Sequence, residues 1–121
     1  MIDNQFIKQS IKDNFFNIIY DTVLNHLENI QLHYNQEFQA DDIILDNIDL
    51  GDLIEVKIEN IIQDVEILGT IKALANIEAI NYCDDDVISN YIYYKLYIDF
   101  VFYIKQNNSE NFKVLRIYNL D

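Results

Sequence analysis

Apolar residues recur at three- and four-residue steps from the start of the chain: Ile7, Ile11, Phe15, Ile18, Ile19, Val23, Leu27, Ile30 and Tyr34. That spacing lines one face of an α-helix, and Ser10, Lys12, Asp13, Asn17, Asp21 and Glu28 fill much of the rest. Residues 6–34 are therefore predicted as one long amphipathic helix, with Asn25 or Asn29 as the place for a break. A helix of this kind needs a partner surface.

Further on, the period changes to two. Val65, Ile67, Gly69, Ile71, Ala73, Ala75, Ile77 and Ala79 alternate with a set that includes Asp64, Glu66, Thr70, Lys72, Asn76 and Glu78, as in a half-buried strand. Gly69 marks a bend or bulge in it. Ile92, Tyr94, Leu96, Ile98, Phe100, Phe102 and Ile104 then alternate with Tyr93, Lys95, Tyr97, Asp99, Val101, Tyr103 and Lys105. Composition makes residues 106–111 a turn, after which 112–120 returns as a shorter strand. An earlier strand alternates Ile54, Val56 and Ile58 with Glu55, Lys57 and Glu59. Residues 36–53 are ambiguous: Asp41 or Asp42 suits the cap of a short helix ending near Gly51, the alternative is loop and strand, and a short helix or irregular segment is favoured.

Side-chain size links the halves. One face of the strand from Val65 is shallow with glycine and alanine, while the helix offers Phe15, Ile18, Ile19 and Leu27; large groups on one element dock closely on small groups of the other. The expectation is an α+β fold, a long N-terminal amphipathic helix packed on a curved antiparallel meander of about four strands.

The length of 121 residues suits a single domain, 1–121. With two glycines and no proline, no linker tract divides it. No secretory signal or membrane-spanning run is visible, so a soluble, cytoplasmic protein without membrane association is expected. One cysteine forms no internal disulfide.

Charge changes the picture most. The net charge is -13, and residues 37–66 hold 10 acids against one lysine. Such a surface repels phosphate backbones and anionic lipid and attracts basic partners. The competing reading is that acidity only keeps a Tyr- and Ile-rich chain soluble.

Candidate chemistry is sparse. Cys83 precedes Asp84, Asp85 and Asp86, whose carboxylates oppose the thiolate a nucleophile or soft-metal ligand requires. Consecutive aspartates rarely converge on one ion, so these three read as a solvated hairpin turn. A calcium loop starting at Asp46 fails, because Ile48 and Leu50 stand where oxygen ligands are needed. His26 and His33 lie about 10 Å apart along a helix, too far to share a zinc ion. No phosphate-cradling loop or activated serine is present, and no metal, cofactor or catalytic residue is assigned.

Two features remain. Asp42, Asp46, Asp49, Asp52, Glu55 and Glu59 recur at steps of three and four, so a helix would gather several on one face, whereas an extended chain would distribute them. Tyr91, Tyr93, Tyr97 and Tyr103 form a row on the polar side of their strand, where tyrosine suits either exposed contact or cross-strand packing. These features favour a small acidic non-enzymatic binding protein that inhibits or neutralises a basic protein partner, as an immunity protein, antitoxin or phage-type inhibitor would. Direct nucleic-acid binding is not expected. The acids named above would make first contact, with Asp84, Asp85 and Asp86 second and the tyrosines as an aromatic contact surface. Two alternatives are a small-ligand or enzymatic domain enclosing Tyr82, Tyr94, Tyr97 or Asp99 in a pocket, and an accessory domain that forms a homodimer through an edge strand at 112–120.

Overall fold

The computed structural model describes residues 2–33, 40–106 and 108–119, and of residues 30–33 the backbone alone. Tyr34 and Glu37 lie outside them, as do the side chains of Ile30 and His33. The N-terminal helix runs in three parts: α1 (Asn4–Ser10), a π-helical segment (Ile11–Phe15) and α2 (Phe16–His33). Asp3 caps it, its carboxylate accepting from the Phe6 N–H at 2.8 Å. No break occurs at Asn25 or Asn29; the irregularity sits a turn or more earlier, at the π segment.

The buried stripe explains that placement. Ile7, Ile11, Phe15, Ile19, Val23 and Leu27 are each 0 to 5% exposed, and they are spaced by four every time. In a pure α-helix each four-residue step drifts about 40° around the axis, or roughly 200° from Ile7 to Leu27. The wider i→i+5 turns of the π segment take back part of that drift. The sheet accommodates the remainder by curling around both flanks. On one side the Tyr20 hydroxyl donates to the Leu45 carbonyl at 2.6 Å; on the other, Phe15 stacks on Phe112 with ring centroids 4.7 Å apart. Ile18, expected on the stripe, is 42% exposed, and Ser10, expected outside it, is buried. Both differences follow from this helical phase.

Four antiparallel strands form one open sheet in the order β1 (Asp42–Ile61), β2 (Asp64–Cys83), β3 (Asp86–Lys105) and β4 (Asn108–Tyr118). The architecture is thus α+β, a helix lying in the concave face of a curved meander. Asn4, Gln5 and Lys8 adjoin Asp52–Ile54, Lys12 and Phe16 adjoin 47–50, and Tyr20 reaches Leu45. The helix therefore runs antiparallel to β1, lengthwise along the trough.

The shallow face of β2 is in the core as expected: Ala73, Ala75 and Ala79 are buried together with the helical stripe. Gly69 differs in what fills its space. A Cβ there would lie 3.2 Å from Phe100 Cζ and 3.3 Å from Val56 Cγ2, so neighbouring strands occupy the gap. Phe100, paired directly with Gly69, covers the glycine with its own ring.

Two sequence expectations need correction. Residues 42–53 are strand, the first half of β1, with no short helix. Likewise the strand β4 begins at Asn108, so Ser109, Glu110 and Asn111 belong to the ladder and not to a turn. In both cases bulges erase the alternation. β1 loses register with β2 at Asp46, at Gly51–Asp52 and at Glu55–Val56, and β4 shifts against β3 near Leu115 and Asn111. Each extra residue flips the side chains beyond it to the other face. For this reason Ile54 pairs with Thr70 while Ile58 pairs with Ile67, and the two isoleucines do not share a face.

Candidate functional site

The strand β1 is an edge of the sheet, and its outward backbone has no neighbour among the described residues. Asp42, Asp46, Asp49, Asp52, Glu55 and Glu59 all stand exposed on it, opposed by Lys57 alone. The extended backbone spreads them over roughly 50 Å and does not gather them on one helical face. Three of them, Asp46, Asp52 and Glu55, occupy the bulges, where the residue left out of the ladder turns its side chain to water. Glu55 does so with φ 54, in the left-handed region. Charges and bulges on a long edge strand also prevent unwanted strand pairing, which gives this acidity a structural role of its own.

The opposite edge, β4, carries Lys113 and Arg116 against Glu110. Arg116 Nε donates to Asp99 Oδ2 at 3.1 Å, and its guanidinium lies 4.1 Å from the Tyr118 ring centroid. Thr70 Oγ1 donates to the other Asp99 oxygen, and Tyr118 stacks on Tyr97 at 5.5 Å. This network lies on the convex face. Alternation marks Tyr97 and Asp99 as belonging to the polar side; it misses their partners Arg116 and Tyr118, because a bulge hides the phase of β4.

The tyrosine row is where the alternation puts it, on the convex face, but it divides. Tyr91 and Tyr93 are 63% and 64% exposed. Tyr97 and Tyr103 are half-buried. Tyr103 donates to Glu66, whose accepting oxygen and negative charge raise the phenol above its ordinary pKa. Tyr82 is exposed near the end of β2, whereas Tyr94 packs against the core on the other face. Tyr82, Tyr94, Tyr97 and Asp99 thus line no common pocket. Asp99 borders a separate open depression of about 520 Å³ with Thr70, Arg116 and Tyr118, and the one beside Tyr97, about 380 Å³, is open to solvent on the convex side and is bordered by Asp49, Gly51, Lys72, Lys95 and Tyr97. It forms where β1 bulges away from β2.

Asp84 and Asp85 form the two-residue loop of the β2–β3 hairpin, with Asp86 opening β3. Asp84 has φ 50, a conformation aspartate tolerates, and all three side chains are exposed beside the exposed Cys83. The hairpin keeps them far in sequence register from the acids of β1 beyond Asp42, which pairs with Ile80. His26 is half-buried on α2, and burial lowers its pKa. Among the described residues no group of three or more His, Cys, Asp and Glu converges as metal ligands would, and no helix is long and apolar enough to cross a membrane.

One region was not singled out by sequence. The β1–β2 hairpin ends in the loop Ile62–Gln63, and Ile62 is 98% exposed with φ 56. The signal available was an apolar pair, Ile61–Ile62, standing where a turn must fall. Compared with models of protein families, with curated proteins and with solved structures, the chain matches none.

Proposed function

We propose that this chain is a non-enzymatic binding protein that recognises a basic protein partner through the β1 edge and blocks the surface it covers. The observation that carries this reading is the exposed row Asp42, Asp46, Asp49, Asp52, Glu55 and Glu59 on an edge strand with a single lysine. Fixed on a rigid ladder, carboxylates at this spacing complement a positively charged groove and speed encounter with it. Bulges support the reading further, since they aim three of the acids away from the sheet while leaving its pairing intact. A groove that normally takes nucleic-acid phosphates has matching chemistry, which makes inhibition of such a partner the natural consequence of binding.

The test uses the purified products of the genes flanking its own. Titration by calorimetry at 0.05 M and 0.3 M salt is expected to give tight binding to a positively charged product, weakened severalfold or more by the added salt. Salt-independent binding, or binding to none of them, would count against the electrostatic mechanism.

A further inference from the structure

At the tip of the β1–β2 hairpin the residues contradict the geometry they adopt. Ile62 holds φ 56, a conformation in which its branched Cβ crowds the backbone. The same first loop position of the β2–β3 hairpin has φ 50 and is filled by Asp84, a residue suited to it. No packing compensates for the isoleucine, since Ile62 is 98% exposed and its neighbours Ile58 and Ile61 are 43% and 44% exposed. Asparagine or glycine would relieve both the strain and the apolar exposure.

A second local conflict adjoins the first. Glu59 and Glu66 are directly paired across the two strands, and like charges in that arrangement repel. Asp64, opposite Ile61, adds a third carboxylate to the rim; Lys57 on β1 and Lys105 on β3 flank it, and Glu66 also accepts from the Tyr103 hydroxyl. A broken local rule that returns nothing within the chain, as at Ile62, marks a position that serves an external contact. The charge of the rim excludes anionic lipid and nucleic acid as that contact. A cation supplied from outside would relieve the Glu59–Glu66 repulsion, just as an apolar cavity would cover the isoleucine.

We infer that Ile62, rimmed by Glu59, Asp64 and Glu66, is the anchor by which the chain docks into an apolar pocket with a basic collar on its protein partner. A rigid apolar residue entering a desolvated pocket, with charges at the margin, is the usual layout of an interface hot spot. This inference rests on the proposed recognition of a basic partner and locates its centre at the hairpin tip, where the acidic edge ends.

To test it, a photoreactive phenylalanine derivative replaces Ile62, or Leu115 on β4 as control, and the chain is irradiated in its own cells. The captured protein is then purified and titrated with the natural chain, Ile62→Leu and Ile62→Asn. The expected results are capture of a positively charged protein from position 62 and not from 115, at least tenfold weaker binding by Ile62→Asn, and near-natural binding by Ile62→Leu. The free Ile62→Asn chain should unfold at a higher urea midpoint than the natural chain, so its loss of binding would not reflect misfolding. Equal affinity of Ile62→Asn, a lowered urea midpoint, or capture of an acidic protein, of a second copy of the chain or of lipid vesicles would each overturn the inference. Binding that depends on salt but not on Ile62 defeats the anchor alone. Indifference to salt defeats the reading beneath it.

Discussion

Truncating Phe15 to alanine probes the contact between helix and sheet at its aromatic cluster. Phe15 is 5% exposed, its ring stacked on Phe112 at 4.7 Å and tilted against Phe102 at 5.3 Å. Replacing a buried phenylalanine by alanine costs about 3–5 kcal/mol, the lost transfer energy plus the cavity left behind. Aromatic pairing adds about 0.5–1.5 kcal/mol per partner beyond burial, which places Phe15→Ala near the upper end. Domains of this size are stable by about 5–15 kcal/mol, so a third or more of the total is at stake. Ile18→Ala is the matched control. At 42% exposure Ile18 sits just off the stripe, and a change of less than about 1 kcal/mol is expected there. Urea unfolding followed by far-UV circular dichroism gives both values from the midpoints if the slope is unchanged. A loss below about 1 kcal/mol for Phe15→Ala, or an equal loss for Ile18→Ala, would refute the helical phase and the packing built on it.

Other expectations concern single sites. Gly69→Ala should cost about 1–3 kcal/mol by overpacking, because its Cβ would meet Phe100 at 3.2 Å and Val56 at 3.3 Å; an unchanged urea midpoint would show that the Phe100 ring yields freely. Asn76 Oδ1 is buried without a hydrogen-bond partner, so Asn76→Leu should leave stability unchanged or raise it by up to about 1 kcal/mol, and a clear loss would reveal a hidden partner. His26 has a pKa lowered by burial, so its unfolded form takes up protons first on acidification. Its contribution is whole above the ordinary pKa of 6.5 and is lost as pH falls through the lowered folded value. Thermal melts from pH 7.5 to 5 should therefore fall less steeply for His26→Gln than for the natural chain, and identical slopes would contradict the burial.

The sequence announces regular elements and conceals irregular ones. The four-residue steps from Ile7 to Leu27 and the alternation of β2 and β3 are legible because burial on one face leaves a period. β1 is not, because three bulges reset its phase within one strand, and its interrupted pattern suits a short helix as well as a strand. Simple periodicity puts Ile18 on the wrong face for a similar reason: a single π-helical segment rotates the rest of the helix beyond it, and no residue type announces one. The Asp84–Asp85 turn is readable because aspartate favours the turn it makes. The Ile62 turn is not, because its residues oppose the conformation they hold. The acids of β1 are recognisable as a group by charge alone, but only the ladder shows which of them stand at bulges.

Two variants of equal net charge separate a recognition edge from mere solubility. One neutralises β1 (Asp46→Asn, Asp49→Asn, Asp52→Asn, Glu55→Gln), and the other makes the same number of changes elsewhere (Asp13→Asn, Asp21→Asn, Glu28→Gln, Glu78→Gln). Their affinities for the basic partner are measured side by side at 0.1 M salt. Recognition by the edge requires the first to bind at least tenfold more weakly than the second, which should stay close to the natural chain. Equal weakening of both would mean that only the overall charge matters and that the β1 edge recognises nothing.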